Sequence, residues 1–158
     1  MNTAAVSSRR DDLVRAFLQT DYLVSTAAGS LTVRIGAEHP RLDRQIGYRP
    51  WAIVTAFNPG ATESASGDNR RRHARLVERT ERAGLASLPA CNRDPSGSWP
   101  DEPGLLVYPC DSDSARKLAR EFGQLGVVTG APGEMARLEL IGKDWPADVS
   151  GPGVRVGG

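Results

Sequence analysis

Apolar and polar positions follow two rhythms along this chain, one helical and one extended. Leu13, Val14, Phe17 and Leu18 share a face at the i, i+1, i+4, i+5 spacing and predict a helix that Ser8 can cap. Residues 22–26 and 31–35 alternate apolar with polar and predict a hairpin across Ala27-Ala-Gly-Ser30. Pro40 suits the first turn of a short helix that buries Leu42 and Ile46. The run from Trp51 to Phe57 is apolar almost throughout, with β-branched members, and predicts a central strand covered on both faces.

Residues 66–83 carry His73, Leu76, Thr80 and Ala83 at helical spacing beside a charged face, with Gly84 placed to end the helix. Residues 85–90 and 105–108 predict further strands, separated by the turn-rich stretch 92–102. Asp111 or Ser112 caps a helix with Ala115, Leu118, Ala119 and Phe122 on one face, ending near Gly123. Residues 127–129 and 137–141 predict two last strands.

Strands and helices interleave, but hairpin-like pairs stand at both ends. The expected fold is therefore α/β in the α+β sense: a single compact domain over residues 1–145, with a mixed β-sheet of about five to seven strands flanked by helices. Residues 146–158 are rich in Gly and Pro, nearly without apolar side chains, and are expected to form a flexible tail. No GxGxxG and no Walker glycine-lysine loop follows any predicted strand, which disfavours a dinucleotide or P-loop fold.

A chain of 158 residues can bury a core without disulfide support. Hydrophobic residues at 39% and charged residues at 25% fit an ordinary water-soluble domain. Basic and acidic residues nearly cancel, at 20 against 19, so no global field draws in a polyanion, and nucleic acid is not an expected partner without a local patch. The lysines are Lys117 and Lys143 alone; the arginines are scattered over every segment, as a GC-rich coding sequence would produce. Cys91 and Cys110 lack CxxC or ligand-spaced partners, which suggests a reducing compartment. No secretory-type or membrane-spanning apolar run is seen, so the expected location is cytoplasmic, with no membrane partner.

The candidate chemistry gathers at three places. The turn Thr55-Ala-Phe-Asn-Pro-Gly60 leaves a buried strand abruptly; the proline pushes Asn58 toward an extended conformation, and Gly60 permits positive φ. Asn58 either closes that turn or presents its amide to a ligand. The following helix start offers unpaired N–H groups and the positive dipole end, and Asn69, Arg70, Arg72 and His73 add donors there, a setting for an anion. A solvated helix face is the competing reading of that basic run. Third, Asp94-Pro-Ser-Gly-Ser-Trp99-Pro-Asp-Glu102 sets a tryptophan and carboxylates in a loop before a strand, where Glu102 beside an indole suits a general acid or base. The competing reading has Trp99 capping the core and Glu102 exposed. No spacing among Cys91, Cys110, His39 and His73 supports a metal site, and no cofactor fingerprint is present.

These motifs resemble the bacterial family catalogued as domain of unknown function 3293. The resemblance rests on Thr55-Ala-Phe-Asn-Pro-Gly60, Asn69-Arg70, Asp94-Pro-Ser-Gly-Ser-Trp99 with Glu102, and Phe122-Gly-Gln124 followed by Val127-Val128, and runs from about Phe17 to Leu140. The family pattern commonly continues the glutamine with Asn-Ala, where this chain has Leu125-Gly126. The resemblance implies a cytoplasmic α/β domain with polar signature residues in loops at strand ends, and no reaction.

The leading expectation is a small-molecule enzyme, or a ligand-binding domain close to one, for an anionic metabolite such as a nucleotide, sugar phosphate or amino-acid derivative. Thr55, Asn58, Asn69 and Trp99 would position it, Arg70 and Arg72 would neutralise it, and Glu102, or else His73, would move protons. The rival expectation is a non-catalytic protein- or nucleic-acid-associated module that uses the arginine-rich helix. A concave site joining Asn58, Asn69, Trp99 and Glu102 favours the first; an arginine face without an adjoining pocket favours the second.

Overall fold

The computed structural model describes residues 3–143, 145, 149 and 153–156. Its strands are β1 (Asp21–Thr26), β2 (Gly29–Val33), β3 (Trp51–Thr55), β4 (Ala86–Arg93), β5 (Glu102–Tyr108), β6 (Gly126–Gly130), β7 (Arg137–Leu140) and β8 (Val154–Val156). Its helices are α1 (Thr3–Gln19), α2 (Pro40–Gln45), α3 (Ser66–Arg82) and α4 (Ser112–Glu121). The strands make one sheet in the order β2-β1-β4-β5-β3-β6-β7-β8. All neighbours are antiparallel except β7 and β8, which run parallel.

Among the described residues the sheet has eight strands, beyond the five to seven expected. The extra one is β8, inside the Gly/Pro-rich stretch 146–158; Leu138, Glu139 and Leu140 of β7 pair with Val154, Arg155 and Val156. Backbone pairing with a strand already in place supplies what the local composition does not. The rest of that expected tail lies outside the described residues, apart from Val149 and Gly153.

β3 sits inside the sheet between β5 and β6, and all five of its residues are buried. Strand alternation sends Ala52 and Val54 to one face, where α3 and α4 cover them with Leu76, Ala115, Leu118, Ala119 and Phe122. Trp51 and Ile53 go to the other face, into a cluster with Tyr22, Val24, Val33, Leu42, Ile46, Leu106 and Val128. A third cluster, Val14 with Leu138, Leu140 and Trp145, seats α1 on the β7 side of the molecule.

The helices end and begin where the sequence places them, with one exception. Asp111 caps α4 by accepting the Ser114 N–H at 2.8 Å, and Gly84 follows α3 at φ +72°. α1 starts at Thr3, ahead of the expected Ser8 cap. No helix among the described residues is long and apolar enough to cross a membrane.

Candidate functional site

The register of three antiparallel strands builds the site. Tyr22 of β1 stands opposite Asn92 of β4, and Asn92 stands opposite Glu102 of β5. Residues directly opposite in a sheet project to the same face, so these three form one polar row beside the apolar Val24, Ala90 and Leu106. β3 pairs Thr55 with Gly104 and then stops, so Glu102 lies past the end of β3, where the chain turns at Asn58. Above this row is a cavity of about 280 Å³, lined from α1 by Leu13, Ala16 and Phe17 and from the sheet by Ile53 and Val128. Its polar wall includes Thr55, Asn58, Asn92, Asp94, Trp99, Glu102 and Gln124.

The Asn58 turn is held by its own amide. Asn58 adopts a left-handed backbone at φ 49°, not the extended conformation that the following proline favours. Asparagine enters that region at a cost on the order of 1 kcal/mol, and its hydrogen bonds offset it. The Asn58 N–H donates to Asn69 Oδ1 at 2.9 Å, and Asn58 Oδ1 accepts from Asn69 Nδ2 at 2.8 Å and from the Ser64 N–H at 2.9 Å. Asn58 Nδ2 donates to Glu102 Oε2 at 2.8 Å. Asn58 therefore closes the turn, as one of the two readings had it, and its amide is bonded to Glu102, Asn69 and Ser64 at the cavity wall.

Glu102 is the group this arrangement perturbs most usefully. Burial pushes its carboxyl above the usual carboxylate range, while the Asn58 hydrogen bond and the Trp99 side chain pull it partly back. A folded pKa above the unfolded one means that Glu102 favours the folded state below the unfolded value and loses that contribution as pH rises through the folded value. Glu102→Gln keeps an acceptor for Asn58 and removes the charge. Its melting temperature should therefore exceed the wild type above neutral pH and converge with it near pH 4, in a thermal-unfolding series across pH. A variant that is less stable than wild type at pH 8 would show that the carboxylate is not held desolvated.

The other expected site residues divide by location. Thr55 and Trp99 line the cavity, although the Thr55 hydroxyl is committed to the backbone, donating to Pro103 O at 2.8 Å and accepting from the Phe57 N–H at 3.1 Å. The Trp99 loop winds around Asp94, whose carboxylate accepts the Ser96 and Trp99 N–H groups and the Ser96 hydroxyl. Those bonds, Ser96 first, hold the Asp94 carboxyl below its usual range. Asn69, Arg70, Arg72 and His73 are not on the cavity wall. Asn69 is 4% exposed and stands behind Asn58, with its amide hydrogens on Asn58 Oδ1 and Ser64 O and its oxygen on the Asn58 N–H and Arg72. His73 packs edge-on against Phe57 at 6.2 Å, and burial lowers its pKa.

An anion at the start of α3 finds less support in this geometry than in the sequence. Asp68 already places a negative charge in the first turn, and among the described residues no Arg, Lys or His lines the cavity. An anion about 4 Å from an ionised Glu102 would be repelled by roughly 4 kcal/mol at an effective dielectric constant near 20. The arginines of α3 are also largely engaged. Arg71 pairs with Asp68, Arg79 with Glu121 and Arg82 with Glu78, and Arg75 lies over the Phe122 ring.

Three further residues line the cavity beyond those the sequence motifs single out as ligand contacts. Asn92 looked like the start of a turn, but β4 runs on to Arg93, and its period-two alternation through Leu88 and Ala90 is the signal that carries Asn92 to the same face. Tyr22 is predicted by its alternation only as a strand residue; its hydroxyl donates to Phe17 O at 3.0 Å and ties β1 to α1, and burial holds the phenol well above its usual range. Gln124 donates to Phe57 O at 3.0 Å and Phe122 O at 3.2 Å, bracing the Asn58 turn. The glycine two positions on is tightly enclosed: a Cβ at Gly126 would meet the Phe17 ring at 2.9 Å.

Residues 54–127 match the family described as protein of unknown function (DUF3293). The match is narrower than the extent suggested by the motifs, 17–140. It nonetheless holds the Asn58 turn, the Asn69 clamp, Asn92, the Trp99 loop, Glu102 and Gln124. The DUF3293 match thus spans most of the polar wall, while Tyr22 and the α1 roof lie outside it. No curated protein and no solved structure matches the chain significantly. Among the described residues no cluster of His, Cys, Asp and Glu could hold a metal ion, and Cys91 and Cys110 are free thiols.

Proposed function

We propose that this protein takes a small metabolite into the cavity beneath α1 and that Glu102 exchanges a proton with it. The observation that carries this reading is a carboxyl group, desolvated and oriented by Asn58, inside a concave site with aromatic and aliphatic walls. Concave, largely apolar sites with a few convergent polar groups are where small ligands bind. Burial raises the Glu102 pKa, and a positioned carboxyl acting as general acid or base contributes about 10²–10⁴-fold to a rate. Asn58 orients the carboxylate, and Asn69 positions Asn58. The anionic metabolite expected from the start of α3 gives way to a ligand chosen by the cavity wall.

Ala16 provides a direct test, because it lines the cavity from an exposed helical position of α1. A metabolite library is screened by thermal shift against the wild type and Ala16→Trp. A ligand at about 100 times its dissociation constant raises stability by roughly 2.7 kcal/mol. Hits should stabilise the wild type and fail to stabilise Ala16→Trp. Hits that stabilise both proteins equally would place binding elsewhere and refute the reading.

A further inference from the structure

We infer, building on the small-molecule reading above, that the cavity selects a small organic cation: an ammonium or amidinium group on an apolar body, paired with Glu102 and read by the Asn92 amide. The charge on the wall has one sign. Among the described residues, Glu102 and Asp94 are its ionisable carboxyls, and the wall carries no basic residue to neutralise them. The Glu102 carboxylate has, among the described residues, neutral donors alone, the Asn58 amide at Oε2 and the Trp99 side chain beside it, and no counter-charge.

Asn92 supplies a second, independent observation. Its side-chain amide makes no hydrogen bond among the described residues, and its Oδ1 is buried without a partner. Buried polar atoms of native proteins nearly always have partners, so an orphan on a cavity wall marks a place where one is brought in. Asn92 and Glu102 are directly opposed across β4 and β5, which sets their Cβ atoms about 4.5–5.5 Å apart. Two N–H groups on one small cation can reach both. Phe17, Trp99, Ile53 and Val128 then enclose the apolar body, and the two aromatic rings favour a positive charge near their faces. A neutral hydroxyl would leave Glu102 without a counter-charge, and a carboxylate would face Glu102 and Asp94 with none.

Benzamidine, benzyl alcohol and benzoate separate these cases, since they share a ring and differ in the charge of the head group. Each is titrated into the full-length protein while the Ile53 and Val128 methyl and Trp99 indole NMR signals are followed, in the wild type, Glu102→Gln and Asn92→Ala. Benzamidine should shift those signals saturably and most tightly. Its dissociation constant should rise at least tenfold in Glu102→Gln, by a smaller factor in Asn92→Ala, and also in the wild type as pH falls through the Glu102 titration. Tighter binding of benzoate or benzyl alcohol at those signals would overturn the cation assignment and leave the small-molecule reading standing. Benzamidine affinity unchanged in Glu102→Gln would overturn it as well. If no probe, and no metabolite from the library, moves the cavity signals, the small-molecule reading fails, and the cation assignment fails with it.

Discussion

Alanine in place of Arg116 is expected to lower the unfolding free energy by about 3–5 kcal/mol, the cost of leaving a buried charge without its partner. Glu139 of β7 is fully buried, at 0% exposure. Arg116 of α4 reaches its Oε2 at 3.0 Å, while the Ser112 hydroxyl donates to Oε1 at 2.9 Å and Thr129 approaches the same oxygen at 3.4 Å. Two neutral hydroxyls do not replace a guanidinium. The pair also locks α4 to β6 and β7. Arg116 makes a second ion pair with Asp113, whose side chain is 80% exposed. Asp113→Ala should therefore change stability by less than about 1 kcal/mol, as solvent-exposed pairs usually do. Urea unfolding of both variants checks the contrast. A loss of less than 1 kcal/mol in Arg116→Ala would mean that the buried pair does not organise this part of the fold.

Asn69→Ala should be the other severe substitution, costing roughly 2–4 kcal/mol, because a buried group left without its hydrogen-bond partner costs about 1–3 kcal/mol and Asn69 serves several. The Asn58 N–H, the Asn58 Oδ1 and the Ser64 carbonyl all lose a partner at once. The left-handed Asn58 turn then loses what holds it, and Glu102 loses the amide that orients it. Arg72→Ala removes one donor of 3.2 Å from an oxygen that keeps its bond to the Asn58 N–H, and should cost less than about 0.5 kcal/mol. Thermal unfolding of the two variants separates the roles. Equal, small losses for both would restore Asn69 as a surface ligand contact of the kind its position near a helix start suggests.

Much of the frame was legible because local pattern and burial agree. Five successive buried residues make β3 an interior strand, Asp111 caps α4, and Gly84 ends α3. Trp99 and Glu102, singled out in the loop before a buried strand, both line the cavity. What stayed hidden depends on register. Tyr22, Asn92 and Glu102 are brought together only by the pairing of β1, β4 and β5, and a slip of one residue would send each side chain to the other face. The α1 roof is likewise a tertiary event, fixed by packing on β7 and by the Tyr22 hydroxyl on Phe17. The start of α3 lies apart from the cavity. Its arginines and histidine are close to Asn58 in sequence, but the helix turns them away from the cavity and toward acidic neighbours, Phe57 and the Asn58–Asn69 clamp.

The central claim is that the cavity under α1 is where this protein meets its ligand. A crystal structure with the best-stabilising hit of the metabolite screen tests it most directly. The expected result is a molecule enclosed between α1 and strands β4 and β5, with a polar group within hydrogen-bond distance of the Glu102 carboxylate. The contradicting result is a molecule seated on the arginine face of α3, around Arg70 and Arg75, with the cavity beside Glu102 holding none of it.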